Sequence, residues 1–347
     1  MCVTGACPAG PRCLSRAEGT CAAACARGRR SPDHGGVHRI AATPADAVPA
    51  AAHGEGPTWD AGRGELLWVD ITAGQVRRAA VGVDGTLTET GAHRGGGTVG
   101  AVVPAADGGW LLAADGGFTH LATDGTARVL VALTGEGGTE AAGGTRMNDG
   151  ACDPAGRFFA GTMAFDERPG AGALYRVDLD GTVSTVLDGL TVSNGIDWSP
   201  DGRTVYLADS GPGVVHAFDY DPDTGAFAGG RVLLEFSGDD GVADGLTVDD
   251  EGCLWTALWG GGQVRRWSPD GELLVVVDVP GVAQTSSCAF AGPGRDLLVV
   301  STSAEGLDDA ARADQPDAGR LFTARPGVTG PPARPYRGPL AALRQVT

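Results

Sequence analysis

Short apolar runs recur along this chain, and each follows a glycine-bearing turn. E-L-L-W-V-D-I, W-L-L-A-A, R-F-F-A-G-T, T-V-Y-L-A-D, C-L-W-T-A-L and D-L-L-V-V-S come just after Gly62, Gly108, Gly156, Gly202, Gly252 and Gly294. Their length, their Val, Leu and aromatic content and their bounding turns predict strands. A second apolar stretch precedes each turn, introduced in the clearest copies by a polar residue and a glycine, as in S-N-G-I-D-W-S-P-D-G from Ser193. A glycine and an apolar residue open a third strand at Gly74, Gly117, Gly172, Gly213, Gly262 and Gly319, and segments such as R-V-L-V-A-L and R-V-L-L-E-F close most copies.

The turn glycines repeat about every 46 residues, the period of a propeller blade. A four-stranded sheet cannot bury both of its faces alone, whereas six arranged radially stack face to face. The pattern predicts an all-β, six-bladed β-propeller with four-stranded blades. Copy six lacks a fourth strand after G-R-L-F-T-A-R-P-G-V, so V-H-R-I-A-A-T near residue 37 is expected to complete that blade and close the ring.

The repeat accounts for residues 37–347 as one domain. Residues 1–36 hold five of the eight cysteines and read as a disordered tail or a mis-assigned translation start. Cys152, Cys253 and Cys288 fall in predicted strands and read as small buried hydrophobes. The net charge of -17 opposes a nucleic-acid partner, which needs a basic footprint. All 26 basic residues are arginines, which excludes a Schiff-base lysine and a P-loop. With no apolar stretch of signal-peptide or membrane-spanning length, the expected compartment is the cytoplasm.

At one phase of the repeat stand Glu55, Val99, Asp149, Asn194, Asp244 and Ser287, which equivalent positions would bring together at one mouth of the central channel. Glu55, Asn194 and Asp244 would present two carboxylates and an amide oxygen. Close carboxylates repel unless a proton or cation intervenes. Oxygen ligands favour Ca²⁺, Mg²⁺ or Mn²⁺ and admit Zn²⁺ or Fe²⁺. One Asn-Gly or Asp-Gly pair is adequately read as a turn, but three polar-glycine pairs at one phase point to a metal site.

In R-M-N-D-G, Arg146 and Asn148 are two apart and share a face if extended, where they would bind substrate hydroxyls or merely form a surface turn. The six histidines show no ligand spacing, and no G-x-S-x-G nucleophile elbow occurs. Most tryptophans read as blade packing; Trp259 is placed to border the mouth.

G-E-G-P-T-W, R-M-N-D-G-A-C-D-P-A-G-R-F-F-A-G-T-M, S-N-G-I-D-W-S-P-D-G, A-D-G-L-T-V-D-D-E-G-C-L-W-T-A and Q-P-D-A-G-R-L-F occur in this order between about Gly54 and Gly338. Together they make the chain resemble the SMP-30/gluconolactonase family of regucalcins and sugar lactonases. The resemblance implies one divalent metal ion (Ca, Mn, Zn, Mg or Fe) on Glu55, Asn194 and Asp244, and substrate contacts from Arg146 and Asn148. A family acidic contact after G-T-M-A would fall on Asp166, often Glu elsewhere and here one methylene shorter. Residues 1–36 have no counterpart.

The implied activity is hydrolysis of an aldonolactone, gluconolactone-like, to the open acid, with the ion polarising the carbonyl and Asp244 as the general base. The competing expectations are a calcium-binding regulatory protein that uses the same ligands without turnover, and a scaffold for protein partners. The charged channel mouth speaks against the scaffold.

Overall fold

A computed structural model describes residues 37–133 and 144–345; the tail expected over residues 1–36 lies outside them. The chain from residue 37 onward forms six sheets whose strands run from the centre outward in sequence order. The innermost strands are Gly54–Asp60, Val99–Pro104, Thr145–Cys152, Ser193–Trp198, Val242–Val248 and Thr285–Ala291, and they begin blades one to six. This is the six-bladed propeller that the period predicts.

Each blade buries its faces against its neighbours. Among the described residues the core divides into six apolar clusters, one at each blade contact. Between blades three and four, for example, Phe159, Leu174 and Leu190 meet Ile196, Trp198, Val205 and Tyr220. Cys152, Cys253 and Cys288 are buried in or beside these clusters, and Cys152 and Cys288 are free thiols.

Ring closure differs in detail from the expectation. Thr43–Pro44 pairs antiparallel with Phe322–Ala324 and supplies the missing outer strand of blade six. His38–Ala41, the more strand-like part of the predicted segment, instead runs parallel to Leu273–Asp278 as a fifth strand of blade five. The reason is packing. Ala42 donates its N–H to Asp278 O at 2.8 Å and is buried with Ile40 against the core between blades five and six, so one short segment staples both.

A strap not foreseen from the repeat follows blade six across the base of the channel. Its backbone meets five of the six blades: Asp250 N–H donates to Thr329 O (2.8 Å), Gly330 to Arg295 O (3.1 Å), Ala333 to Trp59 O (3.2 Å), Tyr336 to Pro104 O (2.8 Å) and Arg337 to Gly156 O (3.0 Å). The Arg334 guanidinium donates to Asp197 Oδ1 of blade four at 3.1 Å. Arg344–Gln345 finally adds parallel to Thr182–Leu190 of blade three.

Candidate active site at the channel mouth

Every innermost strand carries a β-bulge near the channel mouth. Pairing with the second strand slips by one residue between Glu55 and Thr58, Val99 and Ala101, Met147 and Gly150, Ser193 and Ile196, Ala243 and Leu246, and Thr285 and Ser287. A bulge re-aims a side chain and bends its strand. The polar-glycine pairs are therefore bulges rather than loop turns.

The glycine half of each pair has its own cause. A Cβ on Gly195 would stand 2.3 Å from Leu246 N, and one on Gly245 would stand 2.1 Å from Ser287 Oγ. At these two positions adjacent innermost strands approach too closely for any side chain, whereas Gly56 takes a positive φ of 53°. The polar partner is then held at the channel by backbone on both sides.

Counting back from the first turn residue shows a phase difference in two blades. The turn hydrogen bonds start at Asp153, Ser199 and Asp249, which makes Asn148, not Asp149, the equivalent of Asn194 and Asp244. In blade six the bulged residue is Ser286 rather than Ser287. The sequence phase slips because Asp149-Gly150 imitates the dipeptide one residue late.

Glu55, Asn194 and Asp244 are buried, at 3%, 6% and 5% exposure. Burial pushes the Glu55 carboxyl well above the usual glutamate range, and the nearby charges of Asp244 and Asp149 push it further. Asp244 is likewise raised, first by burial and then by Asp149, against a hydrogen bond from the Asn194 side chain. Asp149, buried beside them, is pushed up to about 6 by burial. Asn194 Nδ2 donates to Ser210 Oγ at 3.0 Å, and that hydroxyl donates to Ala243 O at 2.6 Å. Among the described residues no protein group donates to Asn194 Oδ1.

Acids buried this way without an ion pair of their own are costly unless a proton or cation joins them. No three His, Cys, Asp or Glu side chains gather as a ligand set among the described residues; the oxygen set here is two carboxylates and an amide. The donor chemistry fits one hard divalent ion.

Arg146 and Asn148 are brought together as expected. The guanidinium Nη1 donates to Asn148 Oδ1 at 2.6 Å and to Met147 O at 3.1 Å. Asn148 Nδ2 donates to Ser193 O at 3.0 Å, which fixes it against blade four. Burial lowers the Arg146 pKa, opposed by the charges of Glu305, Glu55, Asp244 and Glu167. Asp166 is not drawn into this cluster. It is exposed and holds Arg168 at 2.8 Å; its neighbour Glu167 is the acid whose charge reaches Arg146.

Sequence reasoning missed His53 and Glu305. The His53 ring nitrogen Nδ1 meets the Glu305 carboxylate, and the two lie far apart in the chain, so no local spacing announces them. The His53 ring packs on Trp259 at 5.5 Å between centroids, and Trp259 is half-buried at the end of its strand.

The channel mouth thus gathers buried oxygen donors beside an arginine and an amide. The chain matches the SMP-30/Gluconolactonase/LRE-like region over residues 53–304 and belongs to that family. It is 37% identical over 292 residues to regucalcin of Danio rerio, covering 82% of this chain and 95% of that protein. It is 35% identical over 286 residues to pentonolactonase XacC of Haloferax volcanii, covering 80% and 92%. Among solved structures it resembles regucalcin of Agrobacterium tumefaciens, described as a calcium-binding protein, with a TM-score of 0.77, 30% identity and coverage of 88% and 100%. Among the described residues no helix is long and apolar enough to cross a membrane.

Proposed function

We propose that this protein hydrolyses a sugar lactone to the open aldonic acid with the help of one divalent metal ion. The observation that carries the reading is the buried set of Glu55, Asn194 and Asp244 beside Arg146 and Asn148, in a family whose members include a pentonolactonase. Glu55, Asn194 Oδ1 and Asp244 would hold the ion, and when bound it would polarise the lactone carbonyl and favour the developing oxyanion.

The remaining steps fall to the side chains. Arg146 and Asn148, locked together by the 2.6 Å bond, would donate to hydroxyl and ring oxygens of the substrate. Because Asn148 is also tied to Ser193 O, the pair meets the substrate already oriented, which saves the entropy of ordering it. The Asp244 carboxylate accepts the proton of the attacking water, a role typically worth about 10² to 10⁴ in rate. Asp166, at the rim, contributes an outer contact. Residues 37–347 make up the working unit, and the compartment we assign is the cytoplasm.

The test is acid release from gluconolactone, xylonolactone, arabinonolactone and galactonolactone by metal-stripped protein. Ca²⁺, Mn²⁺, Zn²⁺, Mg²⁺ or Fe²⁺ is restored singly and spontaneous hydrolysis is subtracted. Metal-restored turnover supports the proposal and names substrate and ion. Tight ion binding without turnover on any lactone would instead favour a calcium-binding regulatory protein, the reading suggested by the names of the regucalcin relatives.

A further inference from the structure

Across the channel from Arg146 lies a second set of side chains that the lactonase reading does not use. In a six-membered ring blade six faces blade three, so Glu305, which follows the second strand of blade six, stands opposite Arg146 and Asn148. Glu305 is held at three points. Its N–H donates to Ser303 Oγ at 3.0 Å, its carbonyl accepts Gln284 Nε2 at 3.0 Å, and its carboxylate pairs with His53.

His53 is itself buried, at 7% exposure, under Trp259. Bridges between His53 and Ser303 and between Trp259 and Gln284 knit the mouth ends of blades five, six and one together. The Glu305 side chain nevertheless keeps 45% of its surface exposed, so a carboxylate with a fixed stem is open to the mouth. Its charge leads those acting on half-buried Arg146. Contact with His53 keeps the Glu305 carboxyl below the usual glutamate range, so it stays an acceptor at neutral pH.

We propose that Glu305, positioned by His53 and flanked by Trp259, is a specificity-determining residue that accepts hydrogen bonds from hydroxyls of a neutral sugar ring and rejects rings bearing a carboxylate. The inference rests on the lactonase reading of the same mouth. Its chemistry is specific: a pinned carboxylate is a strong acceptor for hydroxyls, and it repels a like charge brought close to it. Arg146 alone would favour acidic sugars. Glu305 opposite it reverses that preference and selects the uncharged lactone over sugar acids.

Glu305→Gln keeps the size of the side chain, removes the charge that repels an anionic ring and weakens the charged acceptor to a neutral amide oxygen. With gluconolactone as the neutral probe and glucarolactone as the anionic one, the variant is expected to lose roughly tenfold in kcat/KM on the neutral lactone. The loss should lie in KM, with kcat within about twofold. The anionic-to-neutral ratio of kcat/KM is expected to rise by about tenfold or more. An unchanged ratio, or a fall in kcat with KM intact, would overturn the assignment.

A second arm needs no turnover. Calorimetric binding of 1,5-anhydroglucitol and of glucuronate to wild type and Glu305→Gln reads the same preference directly. Weaker anhydroglucitol binding and stronger glucuronate binding in the variant support it. Equal binding in both proteins, or no binding of the neutral ring to wild type, overturns it. Wild-type protein that hydrolyses no lactone would defeat the lactonase reading, while the binding arm would still decide the role of Glu305.

Discussion

The two ends of the central channel bury carboxylates in opposite ways. At the base, Asp197 accepts from Trp198 N–H (2.8 Å), Val248 N–H (2.9 Å), Thr247 Oγ1 (3.1 Å) and the Arg334 guanidinium (3.1 Å). At the mouth, Glu55 accepts from Gly56 N–H at 2.5 Å and is crowded by the charges of Asp244 and Asp149. Burial is similar at both ends; compensation is not. A carboxylate satisfied by four donors is part of the architecture, whereas acids pushed together with few donors are held there for a ligand or a proton.

The comparison is tested first by removing one acid from each end. Asp244→Ala is expected to reduce lactone turnover by at least about 10³-fold, since it removes both the proposed ligand and the proposed base. Its thermal midpoint should stay at or above that of the metal-free wild type, because an uncompensated buried charge is gone. Asp197→Ala should do the reverse. It strands two backbone N–H groups, a hydroxyl and Arg334, for a stability loss of about 3 kcal/mol, with kcat nearly unchanged in the protein that remains folded. Denaturant melts and initial rates on the two variants measure both halves. Equal loss of stability in the two would erase the distinction between the ends.

A smaller effect is expected from Arg146→Ala, roughly 10²-fold in kcat/KM, because a charged donor to the substrate is lost while the ligand set stays intact. Below that comes the ion itself. At a hundredfold excess over its Kd a bound ion stabilises the folded state by about 2.7 kcal/mol. Metal-stripped wild type should therefore gain in melting temperature when the right ion is restored, and Asp244→Ala should gain nothing. A gain of equal size in that variant would place the ion elsewhere.

Why the mouth was more legible than the base follows from how each is encoded. Glu55, Asn194 and Asp244 recur at one phase of a long repeat, each followed by a glycine, so a polar-glycine pair marks three blades. The strap has no such period. Most of its contacts are backbone hydrogen bonds, to five different blades, which any sequence with the right length and prolines can make. Asp197 sits in the same repeat as Asn194, but three of its four donors, from Thr247, Val248 and Arg334, are remote in sequence. The pair of His53 and Glu305 is hidden for the same reason. Ring closure was half legible: the missing strand of blade six could be counted, but which of two neighbouring blade edges would take His38–Ala41 depends on where Ile40 and Ala42 pack.

The smallest effect is expected at Asp166, and it sharpens the comparison within the mouth itself. Both Asp166 and Glu305 are rim acids, but Asp166 is exposed and tied to Arg168, a neighbour equally exposed to water, where water screens the pair and such contacts contribute little. Glu305 has its backbone and carboxylate fixed by Ser303, Gln284 and His53. Binding a hydroxyl therefore costs Asp166 the ordering of a mobile side chain that Glu305 has already lost. Asp166→Asn should change kcat/KM by less than about threefold on every lactone tested, with no change in the neutral-to-anionic preference. A selectivity change at Asp166 as large as that at Glu305 would show that a solvated rim carboxylate recognises the sugar as well as an anchored one does, and that fixing the stem of Glu305 is not what gives it a role.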